Sequence, residues 1–242
     1  MSRTIEISIS PAIYPYRTTT GSHITVVIDV LRFTTSVISA FDNGVKAVIP
    51  VSSLAEAEDL KKHGYPVAAE RDGLRLPFAN YGNSATDFKT SEIIGKTLIY
   101  STTNGTLAME SAAGDGPVVV AAFTNLPAVA GWLNKQMTDV VILCSGWKNL
   151  PCIEDTLCAG ALVEMLFKKG NYNTDCDTVK VALEFWNASK INLQSLIENA
   201  SHHQRLLRLG IDPMLSDTLM TGASNVLPVY ENGLITDLNI QS

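Results

Sequence analysis

What this chain lacks narrows it first. It has four cysteines, Cys144, Cys152, Cys158 and Cys176, and no pair is spaced C-x-x-C. That excludes a zinc-ribbon pattern and predicts free, mostly buried thiols. No apolar run approaches the ~18 residues of a membrane span. The opening residues, Met-Ser-Arg-Thr-Ile-Glu-Ile, lack the apolar core of a secretory signal. The expectation is a cytoplasmic protein with no membrane partner, so the glycosylation sequons at Asn104, Asn187 and Asn199 are discounted. Lys and Arg total 18 against 24 Asp and Glu, a net charge of -6. This shortage of cations argues against a nucleic-acid partner. An anionic small molecule would need a local positive pocket.

Familiar catalytic motifs are missing as well. There is no Gly-x-Gly-x-x-Gly, no Gly-x-Ser-x-Gly and no Asp-x-Asp-x-Thr, and no cysteine is followed six residues later by arginine. Gly95-Lys96-Thr97 resembles the tail of a P-loop, but Thr90 stands where the first glycine belongs and a strand follows instead of a helix. No internal repeat or low-complexity segment is present.

What remains is a chain of 242 residues, 46% hydrophobic and 17% charged, which is folded and large enough for a sizeable core. Strand-like runs at 5–10, 24–30, 47–51, 66–69, 97–100, 118–122 and 140–144 alternate with helix-like patterns. Ser53-Leu-Ala-Glu56 reads as a capping box. The period Leu157, Ala161, Leu162, Met165, Leu166 predicts the longest helix, Ile153 to Lys169. After Gly170 the pattern turns helical, over 178–188, 193–209 and 213–220, and closes on a hairpin around Glu231-Asn232-Gly233. The expected class is α/β: a mostly parallel sheet covered by helices over residues 1–170, and a helix-rich C-terminal lobe, 171–242, packed against it and ending in a short hairpin.

Polar residues collect at four predicted strand ends: Asp29 and Arg32; Glu70, Arg71 and Asp72; Thr102, Thr103 and Asn104; and Ser145 and Gly146, followed by Glu154 and Asp155. C-terminal ends of parallel strands share one edge, so these clusters are expected to converge there. Asp29 closes an apolar run, and an unpaired buried charge is expensive. It needs either a ligand or a partner such as Arg32. Thr34 and Thr35 read as helix N-caps beside it. If 70–72 is extended, Glu70 and Asp72 face one way and Arg71 the other, leaving two carboxylates for a hard cation or a solvated turn. Glu154 and Asp155 suit a metal or simply the helix dipole. Thr102-Thr103-Asn104-Gly105-Thr106 could cradle a phosphate or only cap a helix, with Asn83 and Ser84 near the same anion. His202-His203 reads as a partly exposed helix face without a third ligand.

In order, Val26-Val-Ile-Asp29-Val-Leu-Arg32-Phe-Thr34-Thr35, Glu70-Arg71-Asp72-Gly73, Gly82-Asn83-Ser84, Thr102-Thr103-Asn104-Gly105-Thr106, Cys144-Ser-Gly146 and Glu154-Asp155-Thr-Leu-Cys158-Ala-Gly160 resemble the motifs of the 2-phosphosulfolactate phosphatase family. The resemblance covers 24 to about 165 and continues weakly through Leu207 to Asp212. It implies an Mg2+-dependent α/β phosphatase that converts 2-phospho-3-sulfolactate into 3-sulfolactate and phosphate, in coenzyme M biosynthesis. On this footing Asp29, Arg32, Arg71 and Glu154 are catalytic candidates. Asp29, Glu70, Asp72, Glu154 and Asp155 are candidate metal ligands. Thr34, Thr35, Asn83, Ser84, Thr102, Thr103, Asn104, Gly105 and Thr106 are substrate-binding candidates. Leu74-Arg-Leu-Pro-Phe-Ala-Asn-Tyr81 departs from the Gly-rich family loop, and Trp147-Lys-Asn-Leu-Pro-Cys152 lies where the family is expected to vary. Water attack and an aspartyl-phosphate on Asp29 are both open routes. Phosphatases for other 2-hydroxy acids or sugar phosphates, and a non-catalytic module for a phosphorylated acid, are the rival functions. A homodimer is the ordinary assembly for such an enzyme, and Cys158, one turn after Glu154, is expected to pack.

Overall fold

The computed structural model describes residues 3–169 and 172–240. Its first half alternates strand and helix: β1 (Arg3–Ser8), β2 (His23–Ile28), α1 (Phe33–Asp42), β3 (Ala47–Pro50), α2 (Leu54–Lys62), β4 (Val67–Arg71), β5 (Leu74–Arg75), β6 (Thr97–Ser101) and α3 (Gly105–Ala112). The alternation continues through β7 (Val118–Ala121), α4 (Leu126–Leu133), β8 (Asp139–Cys144) and α5 (Ile153–Lys169). There follow β9 (Tyr172–Asn173), α6 (Asp177–Ser189), α7 (Leu193–Glu198), α8 (Ser201–Arg208), α9 (Leu215–Thr218), β10 (Pro228–Glu231) and β11 (Leu234–Asp237). Half of the predicted capping box forms: the Glu56 amide donates to Ser53 Oγ at 3.3 Å, and among the described residues no return bond runs from the Ser53 amide to the Glu56 carboxylate. α5 spans the predicted residues. The predicted helix 193–209 is broken into α7 and α8 at Asn199-Ala200, and 213–220 is reduced to the short α9. β5 and β9, two residues each, were too short to carry a period.

Among the described residues the strands form one sheet in the order β5-β4-β6-β3-β11-β10-β7-β2-β8-β1-β9. β4-β6-β3 and β7-β2-β8-β1 are each parallel blocks, so the sheet is mostly parallel as expected. The C-terminal hairpin lies between them, antiparallel to both β7 and β3. Three antiparallel steps separate the blocks, so they run in opposite senses along the hydrogen-bonded order. A flat sheet would put their C-terminal ends on opposite edges. Sheet twist accumulates at about 20–25° per strand, and this sheet curls: one core joins Val27 of β2, Val120 of β7 and Leu143 of β8 to Val48 of β3, Leu98 and Tyr100 of β6 and Ile235 of β11. Phe33, Val37 and Phe41 of α1 and Met109 of α3 fill that concave core. The opposite face follows the period of two. Ile5, Val26, Val119 and Ile142 pack under α4, α5, α6 and α8, and Val67, Ala69 and Ile99 pack with Ala57 of α2.

The expected boundary between 170 and 171 falls on residues outside the described set. Residues on both sides of it share the sheet and the cores. Among the described residues no helix is long and apolar enough to cross a membrane.

Candidate active site

The end of β2 is locked by its own side chains. Thr34 Oγ1 donates to the Asp29 carbonyl at 2.8 Å and accepts from the Asp29 amide at 3.0 Å, and Thr35 Oγ1 donates to the Val30 carbonyl at 2.8 Å. The expected N-cap role of Thr34 and Thr35 is therefore corrected. Arg32 is the cap residue, and both threonines lie inside the first turn of α1 with their hydroxyls turned back to the strand. The cap donor is met by Asp29 Oδ1, which accepts the Phe33 amide at 3.2 Å, as a carboxylate at a helix N-terminus should. Asp29 is 6% exposed. Burial, with Glu70 and Glu154 nearby, pushes its carboxyl up to about 6 against the opposing pull of His202. Its Oδ2 has no partner among the described residues.

Arg32 does not pair with Asp29. Its Nη1 donates to Ser84 Oγ at 3.1 Å and its Nη2 to the Gly73 carbonyl at 2.8 Å. These partners are neutral, so a 7% exposed guanidinium keeps an uncompensated charge; burial lowers its pKa and Glu70 and Asp29 oppose that.

The second cluster splits. Glu70, 4% exposed, accepts the Gly73 amide at 2.7 Å and the Thr103 amide at 2.6 Å, one on each oxygen. It clamps the turn after β4 to the turn after β6. The expectation that Glu70 and Asp72 face one way is corrected: Asp72 has φ +53°, so the backbone is not extended there. Its carboxylate is exposed and sits 3.4 Å from Lys148 Nζ. Arg71 donates to the carbonyls of Glu70 and Ser52 and to Ser101 Oγ, and does not line the cleft.

The 102–106 turn is tied internally. Thr102 Oγ1 accepts the Thr106 amide at 3.1 Å, Thr106 Oγ1 donates to the Thr102 carbonyl at 2.6 Å, and Thr103 Oγ1 accepts the Asp72 amide at 3.3 Å. Asn104 Oδ1 accepts the Lys148 amide at 3.2 Å. A Cβ on Gly105 would land inside the Phe33 side chain, so glycine is what lets α3 approach α1. Asn83 Oδ1 accepts the Tyr100 hydroxyl at 2.7 Å.

At the start of α5 the two acids differ as sharply. Asp155 accepts the Val30 amide at 2.8 Å and the Gly146 amide at 3.0 Å, bracing the ends of β2 and β8; burial and the neighbouring Glu154 and Asp29 push it well up. Glu154 is 1% exposed. Its Oε1 lies 2.6 Å from His202 Nδ1, and among the described residues its Oε2 has no hydrogen-bond partner. The reading of His202-His203 as a partly exposed helix face with no third ligand nearby is corrected. The His202 side chain is 9% exposed, because α8 packs over the start of α5, a contact 48 residues away in sequence. Cys152 Sγ is 3.6 Å from the same nitrogen, with burial and Glu154 pushing the thiol up. His203 is buried, with Nδ1 3.0 Å from the Glu198 carbonyl.

These pieces meet in one cleft. Asp29, Arg32, Glu70, Asp72, Asn83, Thr102, Thr103 and Asn104 line it with Trp147, His202 and Arg205. Arg205 lies 4.2 Å over the Trp147 ring, half-buried, with its Nε unpartnered. Reading the sequence missed His202 and Arg205. Their one signal is the His202-His203 pair with Arg205 one turn on in α8, which without contacts looks like a solvated face. Thr35 and Ser84 instead line an adjoining cavity of about 360 Å3 that shares Leu31 and Arg32 with the cleft but holds none of the five acids.

Fold and cleft together define the class: an α/β protein whose curled sheet gathers buried carboxylates, a histidine and two arginines without acidic partners around one cleft. The chain belongs to the 2-phosphosulpholactate phosphatase family, whose model matches residues 12–233. It is similar to three proteins each named a probable 2-phosphosulfolactate phosphatase. That of Symbiobacterium thermophilum is 33% identical over 89% of this chain and 94% of its own length. That of Thermotoga maritima is 32% identical over 86% and 89%, and that of Gloeothece citriformis 34% over 85% and 88%.

Proposed function

We propose that this protein is a magnesium-dependent phosphatase that hydrolyses the phosphate ester of a 2-phospho-carboxylic acid, 2-phospho-3-sulfolactate giving 3-sulfolactate and phosphate. The observation that supports it best is one cleft lined by Asp29, His202 and two arginines without acidic partners, with buried Glu154 2.6 Å from His202 Nδ1. Magnesium takes oxygen ligands. Of the five acids first considered, Glu70 and Asp155 have both oxygens engaged by backbone amides, and Asp72 is out in solvent with Lys148. Asp29 Oδ2 and the orphaned Glu154 Oε2 fit the ion and would hold it. When bound, it supplies Lewis-acid stabilisation of the phosphoryl oxygens.

The chain's own groups do the rest. Arg32 and Arg205 bind the anion and offset the charge that develops on the phosphoryl oxygens. Glu154 Oε1 orients His202 through Nδ1, leaving Nε2 to take a proton from the attacking water and return it to the ester oxygen, which leaves as the hydroxyl when the P–O bond breaks. Trp147 holds the Arg205 guanidinium by stacking. Glu70 and the 102–106 turn keep the cleft wall rigid.

Phosphate release from 2-phospho-3-sulfolactate and from a panel of 2-phospho acids and sugar phosphates, with Mg2+ and after chelation, tests this. Release from the sulfonated acid that chelation abolishes is expected. Rates unchanged by chelation overturn the metal requirement, and tight binding without release across the panel overturns the hydrolase.

A further inference from the structure

We infer that Cys152, Glu154 and His202 form a binding site for a thiophilic divalent ion of the zinc class. One ligand atom from each lies within 4.8 Å of the other two, and among the described residues they are the only such group. Nitrogen, sulfur and carboxylate oxygen make a borderline-soft set that suits Zn2+ or Co2+ and not Mg2+. Ligands bonded at ~2.0–2.3 Å to a tetrahedral ion stand roughly 3.3–3.8 Å apart. The His202 Nδ1 to Cys152 Sγ separation, 3.6 Å, already falls there. The 2.6 Å contact of Nδ1 with Glu154 Oε1 must open, and the Cys152 to Glu154 separation lies within 4.8 Å.

A second observation points to a ligand. Glu154 Oε2 is buried and unpartnered in a residue 1% exposed, and buried polar atoms in native structures are paired as a rule. Nor is Cys152 an ordinary core thiol. Cys144, Cys158 and Cys176 belong to the core beneath α5, whereas Cys152, 6% exposed, joins none of the apolar clusters and stands among polar donors. Three protein ligands leave a fourth position open, the arrangement of reactive metal sites rather than closed structural ones. Binding there takes Nδ1 of His202 and a carboxylate oxygen of Glu154, so it withdraws both from phosphate chemistry. That consequence rests on the proposed function; the binding itself does not.

Titrating the full chain, stripped of metal, with Co2+ tests the site. Expected are a sulfur-to-cobalt charge-transfer band in the near ultraviolet, visible bands of tetrahedral cobalt, and their loss on adding Zn2+. Cys152→Ser should abolish the charge-transfer band and weaken binding at least ~10-fold, and His202→Asn should weaken it comparably. Cys176→Ser should change neither, with far-ultraviolet circular dichroism confirming that each variant is folded. Cobalt binding without the sulfur band, or a band that survives in folded Cys152→Ser, overturns the proposal. A separate arm measures Zn2+ inhibition of phosphate release in the presence of Mg2+. If the spectrum is as expected and no substrate releases phosphate, the site stands and the phosphatase reading falls.

Discussion

On the side of the cleft between β4 and α3, polar atoms are bonded within the chain. Both Glu70 oxygens accept backbone amides, and the hydroxyls of Thr102, Thr103 and Thr106 each have a partner. Where α5 and α8 meet the end of β2, Asp155 is braced in the same way, but among the described residues Asp29 Oδ2, Glu154 Oε2 and Arg205 Nε have no hydrogen-bond partner. The residue types on the two sides are alike. What separates them is whether the backbone has used up their hydrogen-bonding capacity. A carboxylate satisfied by two amides is a brace, and one left with a bare oxygen in a buried site is a hydrogen-bonding and ligating group waiting for a partner.

Substitutions should divide along that line. The largest effects belong to the bare oxygens. Glu154→Gln and Asp29→Asn are expected to lose ~100-fold or more in turnover while staying folded; full turnover in either variant would remove it from the site. Asp29→Asn should also stabilise the metal-free protein. The Asp29 carboxyl titrates at about 6 in the fold and near ~4 unfolded. The native state therefore binds its proton more tightly, and ionisation burdens the fold as pH rises from 4 to 6, fully above 6 and not at all below 4. Urea midpoints should favour the variant by up to roughly 3 kcal/mol at pH 8 and by nothing at pH 3. Equal midpoints at pH 8 would contradict the burial argument.

The brace should fail differently. Asp155→Asn keeps shape but meets one amide with an NH2 group, and a loss of about 3 kcal/mol in stability is expected. Turnover per folded molecule should be nearly unchanged; a loss of turnover at full stability would erase the distinction between braced and bare carboxylates. Next, Arg205→Gln should raise KM about tenfold, the worth of a charged hydrogen bond, with kcat less affected. Arg71→Gln, outside the cleft, should leave both constants alone. Smallest of all, Asp72→Asn breaks an exposed pair with Lys148 and should shift stability by less than ~0.5 kcal/mol in a thermal melt.

Much of this was legible in the residues. The alternation of apolar runs located most of the strands, and α5 was found at its full length, because those signals are local. The convergence of Asp29, Glu70, Thr102 and Glu154 was foreseen, but for an incomplete reason. A single parallel edge does not bring them together; the curl that follows from the central hairpin does, and no local pattern encodes where a terminal hairpin inserts. Asp72 shows the limit of reading alternation through a turn, since one left-handed residue redirects the side chain. His202 shows another, because its partners lie 48 and 50 residues away. Thr34 and Thr35 were placed beside the right strand end, yet a hydroxyl near a helix start bonds backward as readily as forward.

The insertion of β10 and β11 between β7 and β3 also sets an order of events during synthesis. Until residues 228–237 have left the ribosome, the two parallel blocks carry open inner edges with unpaired backbone groups, and nothing bonds one block to the other across the sheet. Such edges invite pairing with other chains. The nascent chain must therefore wait, exposed, for β10 and β11, and a chain ended before Pro228 should be recovered as aggregate rather than as a smaller, weaker version of the protein.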